Sequence, residues 1–151
     1  MADRILRDIG TIARALDSIS NIEFKNISLE KGQYLYLSRI VENPGITQGK
    51  LSQILCVDKT TTNRAIARLV EKKIIIKKDD PKNKKNKLLW ANQEGKLLYQ
   101  TLKRESQHST KIALEGLSTA EAEETEKILS VIAQNIVKNW AFVKKGNKRH
   151  Y

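Results

Sequence analysis

From Arg4 to Ser18, apolar residues recur at Ile5, Leu6, Ile9, Ile12, Ala13 and Leu16, a one-sided stripe with the period of an α-helix. Asn21 to Ile27 interrupts it. Ser28 is placed to cap a second helix whose stripe is Tyr34, Leu37, Ile40 and Val41, widened by Leu35 and Tyr36. Pro44-Gly45 stops that helix. Thr47 can cap a short third helix, Gln48 to Leu55, with Leu51, Ile54 and Leu55 inward. After a turn at Leu55-Cys56-Val57, Asp58 stands where a carboxylate satisfies free backbone N–H groups and faces the positive end of a helix dipole. A helix from Lys59 to Lys72 follows.

The period then changes. Ile74-Ile75-Ile76 reads as a strand from its β-branched content, Asp79 to Asn86 as a polar loop, and Leu88-Leu89-Trp90 as the returning strand. Asn92 can cap a long helix, Gln93 to Glu115, with Leu97, Leu98 and Leu102 on one face and Gly116 at its C-terminal end. Ser118-Thr119-Ala120-Glu121 fits a capping box. The last helix, Thr119 to Val143, carries Ile128, Leu129, Ile132, Ile136, Val137 and Trp140, and a basic tail closes the chain from 144 to 151. The predicted fold class is mainly α: a winged helix-turn-helix with N- and C-terminal dimerisation helices. The winged-helix lobe is expected over 29–95, the helical dimerisation region over 1–20 and 96–143.

The Lys59–Lys72 helix divides cleanly on a helical wheel. Thr62, Ala65, Ile66, Leu69 and Val70 fall on one side; Thr60, Thr61, Arg64, Ala67, Arg68 and Glu71 fall on the other. The first side is a core stripe. The second is small and polar near the N-terminus and cationic further on, as a helix must be if its first turns are to approach base edges in a major groove. Thr60 and Thr61 can meet a base edge or a thymine methyl, and Arg64 can bond a guanine bidentately, with about 1–3 kcal/mol of discrimination. A solvated helix face would look much the same, so the flanking hairpin decides the matter. Lys77, Lys78, Lys82, Lys84, Lys85 and Lys87 oppose only Asp79 and Asp80 there. Lysines can also merely guard a sheet edge. Adjacent to such a helix, they point to phosphates and counterion release.

The net charge of +11 supports a polyanionic partner. The candidate contacts to double-stranded DNA are Thr47, Gln48, Lys59, Thr60, Thr61, Arg64 and Arg68 on the helix pair and Lys82, Lys84, Lys85 and Lys87 on the hairpin. The alternative is an interaction module that sets the same basic hairpin on RNA or an acidic protein.

The segment resembles the DNA-binding domain of the multiple-antibiotic-resistance regulator (MarR) family. The resemblance rests on the run from Ser28 through Pro44-Gly45, the Leu55-x-Val57-Asp58 entry to the second helix, the Arg68-to-Ile75 run R-L-V-E-K-K-I-I, the wing and Gly95. It implies a homodimeric transcriptional regulator, a repressor or an activator, on a pseudo-palindrome. It also implies an effector that acts from a cleft between the dimer helices and the DNA-binding lobe; Tyr34, Tyr36 and Trp90 are candidates to line it or to pack in the core. Five positions depart from the family pattern. Asn83 and Lys85 replace the wing's usual D-x-R, Lys73 replaces a glycine, Lys77 an arginine, and Asn92 stands for a threonine cap. Asn83 cannot form the family's ion pair and Lys85 lacks a guanidinium fork, so the wing reads as a phosphate anchor.

A winged-helix core needs about three helices and a hairpin, which leaves amphipathic segments over. Stripes of that size invite association, and a two-fold dimer through Ile5, Ile9, Ile12, Leu16, Ile128, Leu129, Ile132, Ile136 and Trp140 covers them. The single Cys56 excludes an internal disulfide and fits a reducing cytosol; it reads as core filler in the turn rather than a thiol sensor. There is no signal peptide and no run near the roughly 18 apolar residues of a membrane span. His108 and His150 with one cysteine make no zinc set, and no phosphate-binding loop, metalloprotease motif or nucleophile elbow occurs. The expectation is a cytoplasmic protein, on the nucleoid when bound to DNA, that is not an enzyme and needs no cofactor.

Overall fold

The computed structural model describes residues 2–151; Met1, first residue of the predicted dimerisation segment, lies outside it. The elements run α1 (Ala2–Glu23), α2 (Gln33–Glu42), β1 (Ile46–Thr47), α3 (Gln48–Leu55), α4 (Lys59–Glu71), β2 (Ile75–Asp79), β3 (Lys87–Ala91), α5 (Gln93–Ala113) and α6 (Thr119–Lys144). The chain forms two compact units, residues 1–109 and 110–151.

The core of the first unit is built where α2, α3 and α4 meet the inner face of a small antiparallel sheet. Leu37 and Ile40 of α2, Leu51 of α3, Ile66 and Leu69 of α4 and Leu89 of β3 are fully buried, joined by Phe24, Leu29, Ile74, Ile75 and Leu102. Burying such side chains contributes about 1.5–3 kcal/mol each. The sheet order is β1-β3-β2, with Ile75 opposite Ala91, Lys77 opposite Leu89 and Asp79 opposite Lys87. β1 pairs Ile46 with Leu89 and Thr47 with Leu88. Two residues are too few to show a period, so this strand was not predicted.

Several boundaries differ from the sequence reading. α1 does not stop at Ser18 but continues to Glu23, because Asn and Ser lower helix propensity only modestly and no Gly or Pro intervenes. Ser28 does not cap α2: its φ is +68, Gly32 follows at +78, and the helix begins at Gln33. The side chain of Gln33 does the closing, accepting from the Glu30 N–H at 2.8 Å. The inward line of α2 is therefore Gln33, Tyr36, Leu37 and Ile40, with Leu35 exposed and Tyr34 and Val41 half-buried.

In α3, Ile54 faces out at 41% exposure and Ser52 is buried at 4%. The buried arc is turned toward α4, where the Ser52 hydroxyl donates to Thr62 Oγ1 at 2.8 Å. A hydrophobic pattern cannot signal a serine-threonine seam. β2 starts one residue later than expected and runs on to Asp79, leaving Ile76 exposed. Leu97 of α5 is exposed while Leu98 and Leu102 turn inward, and α5 ends at Ala113 rather than Glu115.

In the second unit, Ser118 and Glu121 form the expected capping box at the start of α6, with reciprocal bonds of 3.2 and 2.8 Å. The backbone N–H of Ser118 holds the Glu121 carboxyl below the usual carboxylate range.

Candidate nucleic-acid interface

Two caps and one turn fix the helix pair. The Thr47 hydroxyl accepts from the Lys50 N–H at 3.1 Å, and Asp58 accepts from the Thr61 N–H at 2.8 Å. Between the helices Cys56 takes a left-handed conformation, φ +51, that the turn requires and a residue with a Cβ adopts at some cost. Cys56 is half-buried rather than part of the core, its thiol 3.7 Å from the Gln53 carbonyl oxygen. Beneath this turn lies the buried Ser52–Thr62 bond, so α4 is held from below by packing and by one oriented polar contact.

The wheel division of α4 holds. Thr62, Ile66 and Leu69 are buried, Ala65 and Val70 are half-buried, and Lys59, Thr60, Thr61, Arg64, Ala67, Arg68 and Glu71 are exposed. Within that exposed face the side chains are not equivalent. Thr61 turns back to its own cap, its hydroxyl donating to Asp58 Oδ2 at 2.9 Å. The Gln48 amide donates to Asn63 and so joins the start of α3 to α4. Arg68 Nη1 is 3.0 Å from Glu30 Oε2, while Arg64 makes no hydrogen bond or ion pair among the described residues. Thr60 and Arg64 thus lie on the exposed face of α4 without such a tie.

The hairpin is anchored at one end and charged at the other. Its base is Ile75, Leu89 and Ala91, all buried; Lys77, Lys78, Lys82, Lys84 and Lys85 are exposed. Lys87 is half-buried and paired across the strands with Asp79, so it braces the hairpin as well as contributing charge. The Lys78 amine lies 5.9 Å from the centre of the Trp90 ring. The tip is closed by its own polar atoms: Asp80 Oδ1 accepts from the Lys82 N–H at 2.9 Å and Asn83 Oδ1 from the Lys85 N–H at 3.1 Å.

Comparison with known proteins bears on this helix pair and hairpin. A family model described as MarR family matches residues 29–87. The chain is 53% identical over 147 residues to the uncharacterized HTH-type transcriptional regulator YybA of Bacillus subtilis, covering 97% of this chain and 98% of that protein. The chain belongs to the MarR family. Among solved structures, a MarR family transcriptional regulator from Listeria monocytogenes complexed with 26mer DNA is 53% identical, with a TM-score of 0.94 over 97% of each chain. A SlyA-like transcription regulator from the same organism superposes at 0.92 over 97% of each chain, again at 53% identity.

Three departures from the usual MarR pattern now have a physical account. Asn83 replaces an ion-pairing aspartate, yet its side-chain oxygen still closes the wing tip by accepting from backbone. Lys73 stands where the family has glycine and keeps the left-handed conformation that glycine would take freely, φ +60. Asn92 caps α5 as a threonine would, accepting from the Gly95 N–H at 3.0 Å. Gly95 itself is required: a Cβ there would lie 2.5 Å from the Ile74 carbonyl oxygen.

The stripes proposed for self-association are open to solvent in the single chain. In α1, Ile5 and Ile12 are more than half exposed, Leu16 less so, and Ile9 is half-buried. In α6, Ile128, Leu129 and Ile136 are exposed, Ile132 and Trp140 are half-buried, and no residue is buried. Of the aromatic residues considered for an effector cleft, Tyr36 is core. The Tyr34 hydroxyl donates to Asp17 at 2.6 Å, and burial pushes it well above its ordinary pKa. A cleft of about 470 Å³ in the first unit is lined by Tyr36, Asp17, Glu30, Lys31, Arg64 and Arg68, among others, while Trp90 is not part of it. Among the described residues there is no group of side chains suited to a metal ion, and no helix is long and apolar enough to cross a membrane.

Sequence reasoning missed Glu30, Ser52, Asn63 and Lys72 as parts of the site. All four act through contacts across 10 to 44 residues of sequence, and such pairings leave no periodic trace.

Proposed function

We propose that this MarR-family regulator acts as a cytoplasmic homodimer, associated with the nucleoid when bound, that represses transcription from a pseudo-palindromic site. One observation carries the reading: the exposed Thr60–Arg64 face of α4, fixed from below by the Ser52–Thr62 bond, beside a hairpin with three tip lysines. Thr47, Gln48, Lys59, Thr60, Thr61, Arg64 and Arg68 face the major groove. Lys82, Lys84, Lys85 and Lys87 hold phosphate. The dimer is formed by the open stripes of α1 and α6 and spaces the two α4 helices roughly 34–36 Å apart, one turn of duplex. The Listeria relative in complex with DNA supports this partner. The lobe 29–95 binds, and 1–20 with 96–143 associates.

A small-molecule effector that enters the cleft beside Arg64 would disturb that spacing and release the duplex. Selection of bound duplexes from a random pool, followed by sedimentation of the complex, tests the reading. The expected result is one palindromic sequence preferred by about 10³-fold over random duplex, with two chains bound. Equal binding to all duplexes, or tighter binding to RNA, would replace it with a general polyanion-binding module.

A further inference from the structure

Arg64 and Arg68 lie one helical turn apart on the outer face of α4, but only Arg68 has a protein partner. Its Nη1 is 3.0 Å from Glu30 Oε2, and the other Glu30 oxygen is 3.6 Å from the Lys72 amine. Lys72 also donates to the Ser28 carbonyl oxygen at 2.8 Å and to Gln33 Oε1 at 3.2 Å. One carboxylate thus bridges two cations of the helix that faces DNA.

The mount beneath Glu30 is built, not incidental. Its own N–H donates to Gln33 Oε1 at 2.8 Å, its carbonyl accepts from the Gln33 N–H at 3.0 Å, and Gln33 is 3% exposed. Gly32 N–H donates to Asn21 Oδ1 at 2.9 Å, which fastens the same short segment to α1. A carboxylate so placed limits where the Arg68 guanidinium can go. Only Nη1 is engaged, so the remaining donors of the fork stay available to a nucleic acid.

We propose that Glu30 is a specificity-determining, positioning residue for DNA binding. It holds Arg68 in one orientation and keeps it from collapsing onto any phosphate that approaches. This rests on the DNA reading given above. A free arginine on a groove-facing helix adds to binding of every duplex, because phosphate attraction carries no sequence information. An arginine tethered through one nitrogen reaches only a ligand atom that matches its fixed fork. Loss of the tether therefore acts on random duplex more than on the cognate one.

The test uses the full-length protein and the duplex selected from the random pool, with Glu30→Gln, Arg68→Ala and the double variant. For Glu30→Gln the ratio of selected to random affinity is expected to fall about 5- to 10-fold, mainly through tighter random binding, with the thermal midpoint little changed because an exposed pair contributes little to stability. In the Arg68→Ala background the same substitution should leave the ratio unchanged. A ratio that stays at the wild-type value in Glu30→Gln overturns the proposal. So does an equal fall with or without Arg68, since Glu30 would then act through something else. If Glu30→Gln folds poorly, Glu30→Asp serves instead: its shorter reach should lower the ratio while keeping the charge, and an unchanged ratio would overturn the proposal. A wild-type protein without any duplex preference would sink the DNA reading itself, which keeps the two failures distinct.

Discussion

The helix pair and the hairpin are both basic and both exposed, yet they are held in opposite ways. α4 is fixed along its length by Thr62, Ile66 and Leu69 underneath, by an N-terminal carboxylate cap and by a buried hydroxyl pair to α3. The hairpin is fixed only at its base, and its outer half is held by hydrogen bonds between its own residues. A side chain can read a base edge only if its backbone is held to a fraction of an ångström, whereas a cation near a phosphate needs no such precision. On the function proposed above, the two regions divide the work: discrimination on α4, affinity on the wing.

The largest effect should come from disturbing the base of the hairpin. Gly95→Ala places a methyl group against the Ile74 carbonyl oxygen and should destabilise the first unit by about 1–3 kcal/mol despite alanine's better helix propensity. Urea denaturation measures it; a variant as stable as wild type would mean that α5 and β2 can separate freely. Arg64→Ala tests the other region. It should lose about 1–3 kcal/mol of discrimination at one base pair of each half-site, read from competition between duplexes. An equal loss on all duplexes would make Arg64 a phosphate contact and break the division.

Lys84→Ala with Lys85→Ala should leave sequence preference intact, weaken every duplex alike and flatten the salt dependence by about 1 to 2 units of slope. A changed preference would move base readout onto the wing. The smallest effect concerns the junction of the two regions. Lys73→Gly removes a left-handed residue with a Cβ and should raise stability by up to about 1 kcal/mol, the conformational penalty less the added chain entropy of glycine. No rise in Tm would mean that the Lys73 side chain makes a compensating contact.

The parts of the molecule governed by local rules were legible in the sequence. Asp58, Thr47 and the Ser118–Glu121 box cap the helices as their residue types dictate, and the inner face of α4 is the one its period predicts. The resemblance to MarR regulators carried the rest of the fold, through Pro44-Gly45 and the R-L-V-E-K-K-I-I run. Polar residues with long-range partners were not legible. Ile54 was expected inward beside Leu51 and Leu55, but α3 buries Ser52 in a hydroxyl pair with Thr62 and leaves Ile54 exposed. Ser28 looked like a cap, but the segment closed through Gln33 instead. Nothing in the sequence singles out Glu30, whose partner Arg68 lies 38 residues away.

The wing tip has a further consequence. Asp80 N–H donates to the Asn86 carbonyl oxygen at 3.1 Å, Asn83 N–H to that of Asp80 at 3.2 Å, and Asn86 N–H to that of Asn83 at 2.9 Å. The loop from 80 to 86 closes on itself. It is therefore a cassette: a loop of another length or charge can be exchanged there without touching a single core side chain. If the wing holds phosphate and α4 reads bases, as proposed, exchanging these seven residues would retune how tightly the regulator grips duplex and leave the address it reads unchanged.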